Sequence, residues 1–392
     1  MRILIVSGTF PPRKFGGVTA SSFKLATSLK QQGHDVTVYT TDTGNDESHR
    51  LSVPFHNKMN GFDIYYFKNM SNWVAFKYRF HTPVGLIPML NKINEESFDI
   101  IAIQDFRSFM SIVIHRICRR YNIPYIIQAR GSLPYDEGNY LFKKLYDIAI
   151  GRKILREASK VIALSKTEVK QYINFGIEKN KIEIIPNGIN VADYQALPDK
   201  GAFLQKNNFS PNEKIILSLG RLNKIKGIDL LLKAFAKVVN EISNVTLVIA
   251  GPDDGDLPRL KNLVMELKIN EKVFFVGPLY GNDKLEAYCD ATVFVLSSIY
   301  EVFGNTVIES LACGTPVIAT SGCHIADVVS HAGIVVDYDA DQLKDAILSL
   351  VKDENLAKNL GKKGRDLVFK QFDQDIIIDK VIQIYQECIR IR

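Results

Sequence analysis

Two glutamates, Glu301 and Glu309, stand eight residues apart around Phe303-Gly304-Asn305-Thr306 in the stretch VFVLSSIYEVFGNTVIESLACGTPVIAT, residues 293–320. The run divides into a strand at 291–298, a loop at 299–303, a helix from about 304 and a strand at 315–320. Glu301 then lies in the loop and Glu309 on the helix, so the two are not a helical pair facing one another. Gly304 leaves room for a ligand to approach the backbone. Asn305 and Thr306 occupy the helix N-terminus, where unpaired N–H groups favour a phosphate. A carboxylate one turn further in suits the vicinal hydroxyls of a ribose, and the loop carboxylate would face whatever projects beyond the phosphates. An ordinary βα unit with an exposed loop glutamate accounts equally well for the spacing alone.

Other candidate groups lie upstream. Arg221 and Lys226 follow the strand IILSLG, before a helix beginning near Gly227. A forked guanidinium and a point-charge ammonium complement each other around a diphosphate. Gly16 and Gly17 precede a helix after the first strand, where bare N–H groups favour an anion. No G-x-G-x-x-G spacing occurs there, which lowers the case for a nicotinamide or flavin enzyme. Asp254-Gly255-Asp256 has the spacing of a D-x-D metal site. Its place after VTLVIAG, away from the phosphate loop, favours a solvated turn. The seven histidines form no metal-binding spacing; His324, near the glutamate motif, could touch a sugar, but a structural or exposed role is the expectation.

The elements that must position these groups alternate short apolar runs with amphipathic segments. RILIVS, DVTVYTT, DIIAIQ, PYIIQA, KVIALS and IEIIPN read as buried strands in the first half, and KIILSLG, VTLVIAG, KVFFVG, ATVFVLSS and TPVIAT in the second. Repeated βα units predict an α/β fold with a doubly wound parallel sheet in each half. The expected domains are 1–195 and 205–372, with a join near 190–212 and a terminal helix at 373–392 that could pack back on the first domain. In such sheets ligands bind beyond the carboxyl ends of the strands.

Five segments in order carry a family resemblance: FPPRKFGGV, VIALSKTE, IIPNGIN, SLGRLNKIKG, and EVFGNTVIE with SLACGTPVIAT. Together they resemble the retaining glycosyltransferases of family 4 (group 1), over nearly the whole chain. The resemblance implies the GT-B fold, two Rossmann-like domains facing across a cleft, the first binding the acceptor and the second the sugar-nucleotide donor. It implies that Gly16 and Gly17 lie against donor phosphates or acceptor, and that Arg221 and Lys226 clamp the diphosphate. Glu309 would bind the ribose and Glu301 would face the donor sugar. Phe303, Gly304, Asn305 and Thr306 would contact sugar and phosphate, and Gly277 and Leu279 would border the base. Asn187 would approach the cleft from the linker.

Three departures from the family pattern concern the acceptor and the sugar. Gln104 and Asp105 stand where a histidine is common, Arg130-Gly131 where His-Gly is common, and Gly322-Cys323 with Asp327 where Gly-Gly and a glutamate are common. Asp105 and Arg130 are therefore acceptor-side candidates, with the catalytic base left open. The implied reaction is metal-independent transfer of a hexose from a nucleoside-diphosphate sugar, UDP or GDP, without a cofactor. The acceptor would be a hydroxyl of a lipid-linked or cell-surface glycan precursor. A sugar-nucleotide epimerase, a phosphorylase and a non-catalytic binding subunit are the alternatives on this architecture.

Charge and composition narrow the partners. Residues 1–195 carry a formal charge of +9 and residues 196–392 of −3. No nucleic-acid motif accompanies the basic half. Residues 64–94 hold Lys68, Lys77, Arg79 and Lys92, no acid, and the sole tryptophan. They could rest on an anionic membrane or cap the acceptor cleft. No uncharged apolar run reaches the ~18–20 residues of a membrane span, and the N-terminus reads as a first strand rather than a leader. Five cysteines without a C-x-x-C pair suggest free thiols in a reducing cytoplasm, with the enzyme there or at the membrane's inner face.

Overall fold

A computed structural model describes residues 1–13, 17–44, 48–78, 80–90, 97–135 and 139–391. The chain divides into two units, Met1–Asn187 with Asp375–Arg392, and Gly188–Gln374. The division falls earlier than the expected join. Ile189 donates its N–H to Phe372 at 2.9 Å and accepts from the Gln374 N–H at 2.8 Å, and this pairing draws residues 188–195 into the second unit.

The first unit is built on eight strands: β1 (Arg2–Val6), β2 (Asp35–Thr41), β3 (His56–Met59), β4 (Phe62–Phe67), β5 (Ile100–Ile103), β6 (Tyr125–Gln128), β7 (Lys160–Ala163) and β8 (Ile182–Ile184). Their order is β3-β4-β2-β1-β5-β6-β7-β8. All neighbours run parallel except β3 against β4. Ile3 and Ile5 of β1 enter one core and Leu4 and Val6 the other, the period-two signature of a strand covered on both faces. The helix Gln374–Arg390 supplies Ile377, Ile378, Val381 and Ile384 to the core that holds Ile3 and Ile5.

The β3–β4 hairpin is not among the sequence-read strands. Its signal was present: Asn60 and Gly61, at φ 49° and 82°, form the two-residue turn that needs left-handed backbone at both positions. The consequence for residues 64–94 is that Ile64, Tyr66 and Phe67 belong to the sheet core rather than to a surface. Lys92 and Arg79 lie outside the described residues.

The second unit holds β9 (Lys214–Leu219), β10 (Val245–Ala250), β11 (Val273–Gly277), β12 (Ala291–Leu296), β13 (Val317–Thr320) and β14 (Gly333–Val336). They form one parallel sheet in the order β11-β10-β9-β12-β13-β14. The four-residue β14, GIVV, was also missed. Helices Ile228–Val238 and Ala340–Lys352 bury one face against Ile216, Leu247 and Val293. Strand order reverses between β1 and β5 in the first sheet and between β9 and β12 in the second, which are the points where ligands bind in doubly wound sheets. All five cysteines are free. Among the described residues, no helix is long and apolar enough to cross a membrane.

Candidate active site

At the second switch point, the chain leaving β9 passes Arg221 and enters the short turn Lys224–Lys226, where the Asn223 side chain accepts from the Lys226 N–H at 3.3 Å. The neighbouring β12 loop stitches itself to that turn. The Ile299 N–H donates to the Ile225 carbonyl at 2.8 Å, and the Ser297 hydroxyl to the Lys226 carbonyl at 3.1 Å. Lys226 is thereby delivered to Glu301, and its Nζ contacts Oε2 in an ion pair largely shielded from solvent. The Glu301 carbonyl accepts the His324 N–H at 2.8 Å, which brings the loop after β13 to the same place.

Arg221 is half-exposed and donates from Nη1 to Asp254 Oδ2 at 2.6 Å; Asn223 donates to the same oxygen at 2.8 Å. This corrects the reading of the 254–256 turn. β9 and β10 are neighbours, so their following loops adjoin, and the Asp254 N–H donates to Leu222 at 3.0 Å. Asp256 is buried rather than solvated, and its hydrogen bond from Arg259 at 2.6 Å holds its carboxyl below the ordinary range. The D-x-D residues are thus engaged by arginines. Among the described residues, no three His, Cys, Asp or Glu side chains cluster as metal ligands.

The helix Asn305–Ala312 begins after Gly304, whose φ of +75° is a left-handed conformation that glycine adopts without strain. With no side chain at that position, the first turn has no N-cap hydrogen bond, and its N–H groups favour an anion. Asn305 and Thr306 stand in that turn. Glu309, one turn in, accepts from Lys284 Nζ at 3.0 Å and from the Tyr288 hydroxyl at 3.1 Å. Burial, reinforced by Glu309, raises the Tyr288 hydroxyl well above its usual range and keeps it a donor. Lys284 and Tyr288 were missed. Their i, i+4 spacing on the helix Gly281–Asp290 was the available signal.

Phe303 departs from the expected role. Its ring is buried, 6.2 Å from that of Phe372, so it serves the core and leaves only backbone for a ligand. Gly277 accepts the Gly251 N–H at 2.8 Å, and Leu279 follows, half-buried. His324 lies beside Glu301, near the motif where its sequence position placed it. Its Nδ1 is buried with no hydrogen-bond partner among the described residues, and burial lowers its pKa against the pull of Glu301.

At the first unit's switch point, Gly17 opens the helix Gly17–Gln31, exposed and with no acid in the first turn. Gly16 lies outside the described residues. Asp105 follows β5 and sits with His81 over Gly8, where a Cβ would collide with both side chains. A histidine does therefore stand near the end of that strand, contributed by a segment that sequence order gave no reason to place there. Arg130 donates to Gln104 Oε1 from Nε at 3.0 Å and Nη2 at 2.7 Å, and from Nη1 to Asn187 at 3.1 Å. Burial pulls its pKa down to about 10, with Glu168 opposing the shift. Glu168, fully buried and overlooked in the sequence, accepts the Gly131 N–H at 2.8 Å and the Leu164 N–H at 2.7 Å. Its place three residues after Ser165 in a helix-capping pattern was legible, but its partners were not.

The second unit thus offers cationic side chains and an uncapped helix end for phosphates, and carboxylates for hydroxyls. The pattern described as Glycosyl transferases group 1 matches residues 199–367, and that described as Glycosyltransferase Family 4 matches residues 15–193. The chain belongs to this glycosyltransferase family. It is 27% identical to an uncharacterized glycosyltransferase of Methanocaldococcus jannaschii, over 98% of each chain. It is 28% identical to the alpha-monoglucosyldiacylglycerol synthase of Streptococcus pneumoniae, over 97% of this chain and 90% of that one. Among solved structures, Anabaena HepE in complex with UDP and glucose superposes with a TM-score of 0.77 at 18% identity, covering 99% of this chain and 100% of that one. The fold of this glycosyltransferase is the two-domain, Rossmann-like GT-B fold.

Proposed function

We propose that this glycosyltransferase moves a hexose, with retention at the anomeric carbon and without a metal, from UDP- or GDP-sugar to a hydroxyl of a lipid-linked or cell-surface glycan precursor. The observation that carries the reading is the convergence of Arg221, Lys226, Glu301 and the uncapped helix Asn305–Ala312 around the β9/β12 switch point. The diphosphate would replace Glu301 as the partner of Lys226 and Asp254 as that of Arg221. Glu301 is then freed to face the sugar, and Glu309 takes the ribose hydroxyls. In a same-face displacement, the bond from the anomeric carbon to the leaving phosphate oxygen breaks as the acceptor oxygen bonds to that carbon. The departing phosphate oxygen takes the acceptor's proton, and Arg221, Lys226 and the helix end stabilise its charge.

On the first unit, Asp105, His81, Arg130 and Asn187 are the acceptor-side groups. Support for the donor comes from HepE, solved with UDP and glucose, and for a lipid acceptor from a relative named for a glucosyldiacylglycerol. The free thiols fit a cytoplasmic enzyme acting at the inner face of the membrane. A thermal-shift series with UDP, GDP and ADP tests the donor, and one of the first two is expected to raise Tm. If no nucleoside diphosphate does so, the reading fails. Hydrolysis assays with sugars on the stabilising nucleotide then identify the hexose.

A further inference from the structure

Residues 140–157 run as one helical rod: an α-helix at Tyr140–Tyr146, a π-turn at Asp147–Gly151 and an α-helix at Arg152–Glu157. Its inner face is anchored. Tyr146, Ile154 and Leu155 are buried, and Asp147 is held by Arg107, whose Nε donates at 2.9 Å and Nη2 at 2.6 Å. The outer face is of another kind. Leu141, Leu145 and Ile148 are 63%, 58% and 67% exposed and follow one another at i, i+4 and i+7, so they form a single apolar stripe.

The stripe continues into basic residues. Lys144 stands beside it, and Arg152, Lys153 and Arg156 occupy the exposed positions of the next turns. The acid within this span, Asp147, is turned inward to Arg107, and Glu157 at its end is taken up by His115, Arg119 and Lys153. The face is therefore apolar at one end and cationic at the other, and among the described residues it holds no uncompensated carboxylate. Phe142 extends it sideways: its ring is 5.6 Å from that of Tyr78, whose helix presents half-exposed Trp73 with Lys77 Nζ 4.5 Å over the indole.

We propose that this face docks the protein on an anionic phospholipid surface, with the leucine–isoleucine stripe in the headgroup–acyl boundary and Lys144, Arg152, Lys153 and Arg156 on lipid phosphates. An amphipathic helix with this division of apolar and basic surface binds in the plane of a bilayer. A second copy of the chain is a poorer occupant, since a two-fold contact joins the same patch of both copies and, among the described residues, this patch has no uncommitted carboxylate to meet its cations. The proposal deepens the lipid-linked acceptor reading above and rests on it for its purpose. It also moves the membrane contact away from Ile64, Tyr66 and Phe67, which the sheet buries.

Vesicle co-sedimentation tests it, with phosphatidylcholine alone and with phosphatidylglycerol added. The full chain is expected to bind the anionic vesicles and to be released by salt. Arg152→Glu with Lys153→Glu should weaken binding at least about 20-fold, and Leu145→Gln with Ile148→Gln about tenfold or more. All four positions are exposed, so Tm and its shift by the stabilising nucleotide should not change. That shift reads the donor site separately from the docking face. Equal binding by wild type and both variants, equal binding to neutral vesicles, or no vesicle binding overturns the proposal. So does a dimer in solution that the same substitutions dissolve. Should a double variant fail to fold, the salt series on the unaltered protein and the single Arg152→Glu change decide the matter.

Discussion

Lys226 has a carboxylate partner in Glu301, and the proposed reaction asks it to exchange that partner for a phosphate. Removing such a charge-stabilising donor typically costs about 10²–10³ in rate. Lys226→Ala should therefore lower kcat by that order while circular dichroism and Tm stay close to wild type; near-normal turnover would remove Lys226 from the donor site. His324 allows a test by pH. Burial holds its folded pKa below the ordinary histidine value of 6.5. As pH falls through 6.5, the unfolded chain takes up a proton that the folded chain resists, so stability is lost on acidification and regained above that pH. The slope from one such group reaches at most about 1.4 kcal/mol per pH unit. Melting curves from about pH 7 down to about pH 5 should fall less steeply for His324→Asn than for wild type, and parallel curves would mean the imidazole is not withheld from protons. The types and order of Arg221, Lys226, Glu301 and Glu309 were readable because a βα unit places its loop and first helical turn at a fixed end of the sheet. The pairings of Asp254 with Arg221 and of Lys284 and Tyr288 with Glu309 were not, because those partners come from neighbouring strands and helices.

At the scale of elements, the loop after β6 depends on a helix elsewhere in the chain. Glu168, on the helix Lys166–Asn174, accepts the backbone N–H of Gly131 and of Leu164, and so holds the segment that carries Arg130. An amide at that position would turn its own donor toward one of the two N–H groups and leave that group without an acceptor. Such a buried loss costs about 1–3 kcal/mol. Glu168→Gln should accordingly lower Tm by roughly 2–12 °C and raise the acceptor KM, with nucleotide binding unchanged. An unaltered Tm would show that the loop does not need this anchor. The hairpin β3–β4 carries a complementary lesson. Its Asn-Gly turn was legible, and Phe62, Ile64 and Tyr66 alternate as buried residues along β4, but β3, HNKM, has no buried residue and carries one apolar side chain, so only the structure reveals it as a strand.

For the whole molecule, the assignment of the last helix decides what can fold alone. Ile377, Ile378, Val381, Ile384, Tyr385 and Cys388 are buried in the first unit's core. At about 1.5–3 kcal/mol for each large apolar side chain, their loss rivals the ~5–15 kcal/mol that holds a typical domain together. A chain ending at residue 374 should therefore aggregate or lose the first unit's cooperative transition in calorimetry. Residues 188–374 alone should melt cooperatively and keep the nucleotide-induced shift. A truncated chain with an unchanged transition would show the helix to be dispensable. The sequence by itself determined the class of fold, the βα rhythm and the order of the candidate-site residues, since strand and helix periodicity and helix-end chemistry are local properties of the chain. Only the tertiary structure decided that Arg130 meets Gln104 and Asn187, that His81 lies beside Asp105, and that residues 375–391 belong with the first unit. Those contacts join residues far apart in sequence, and their energy comes from burial and pairing that no local window contains.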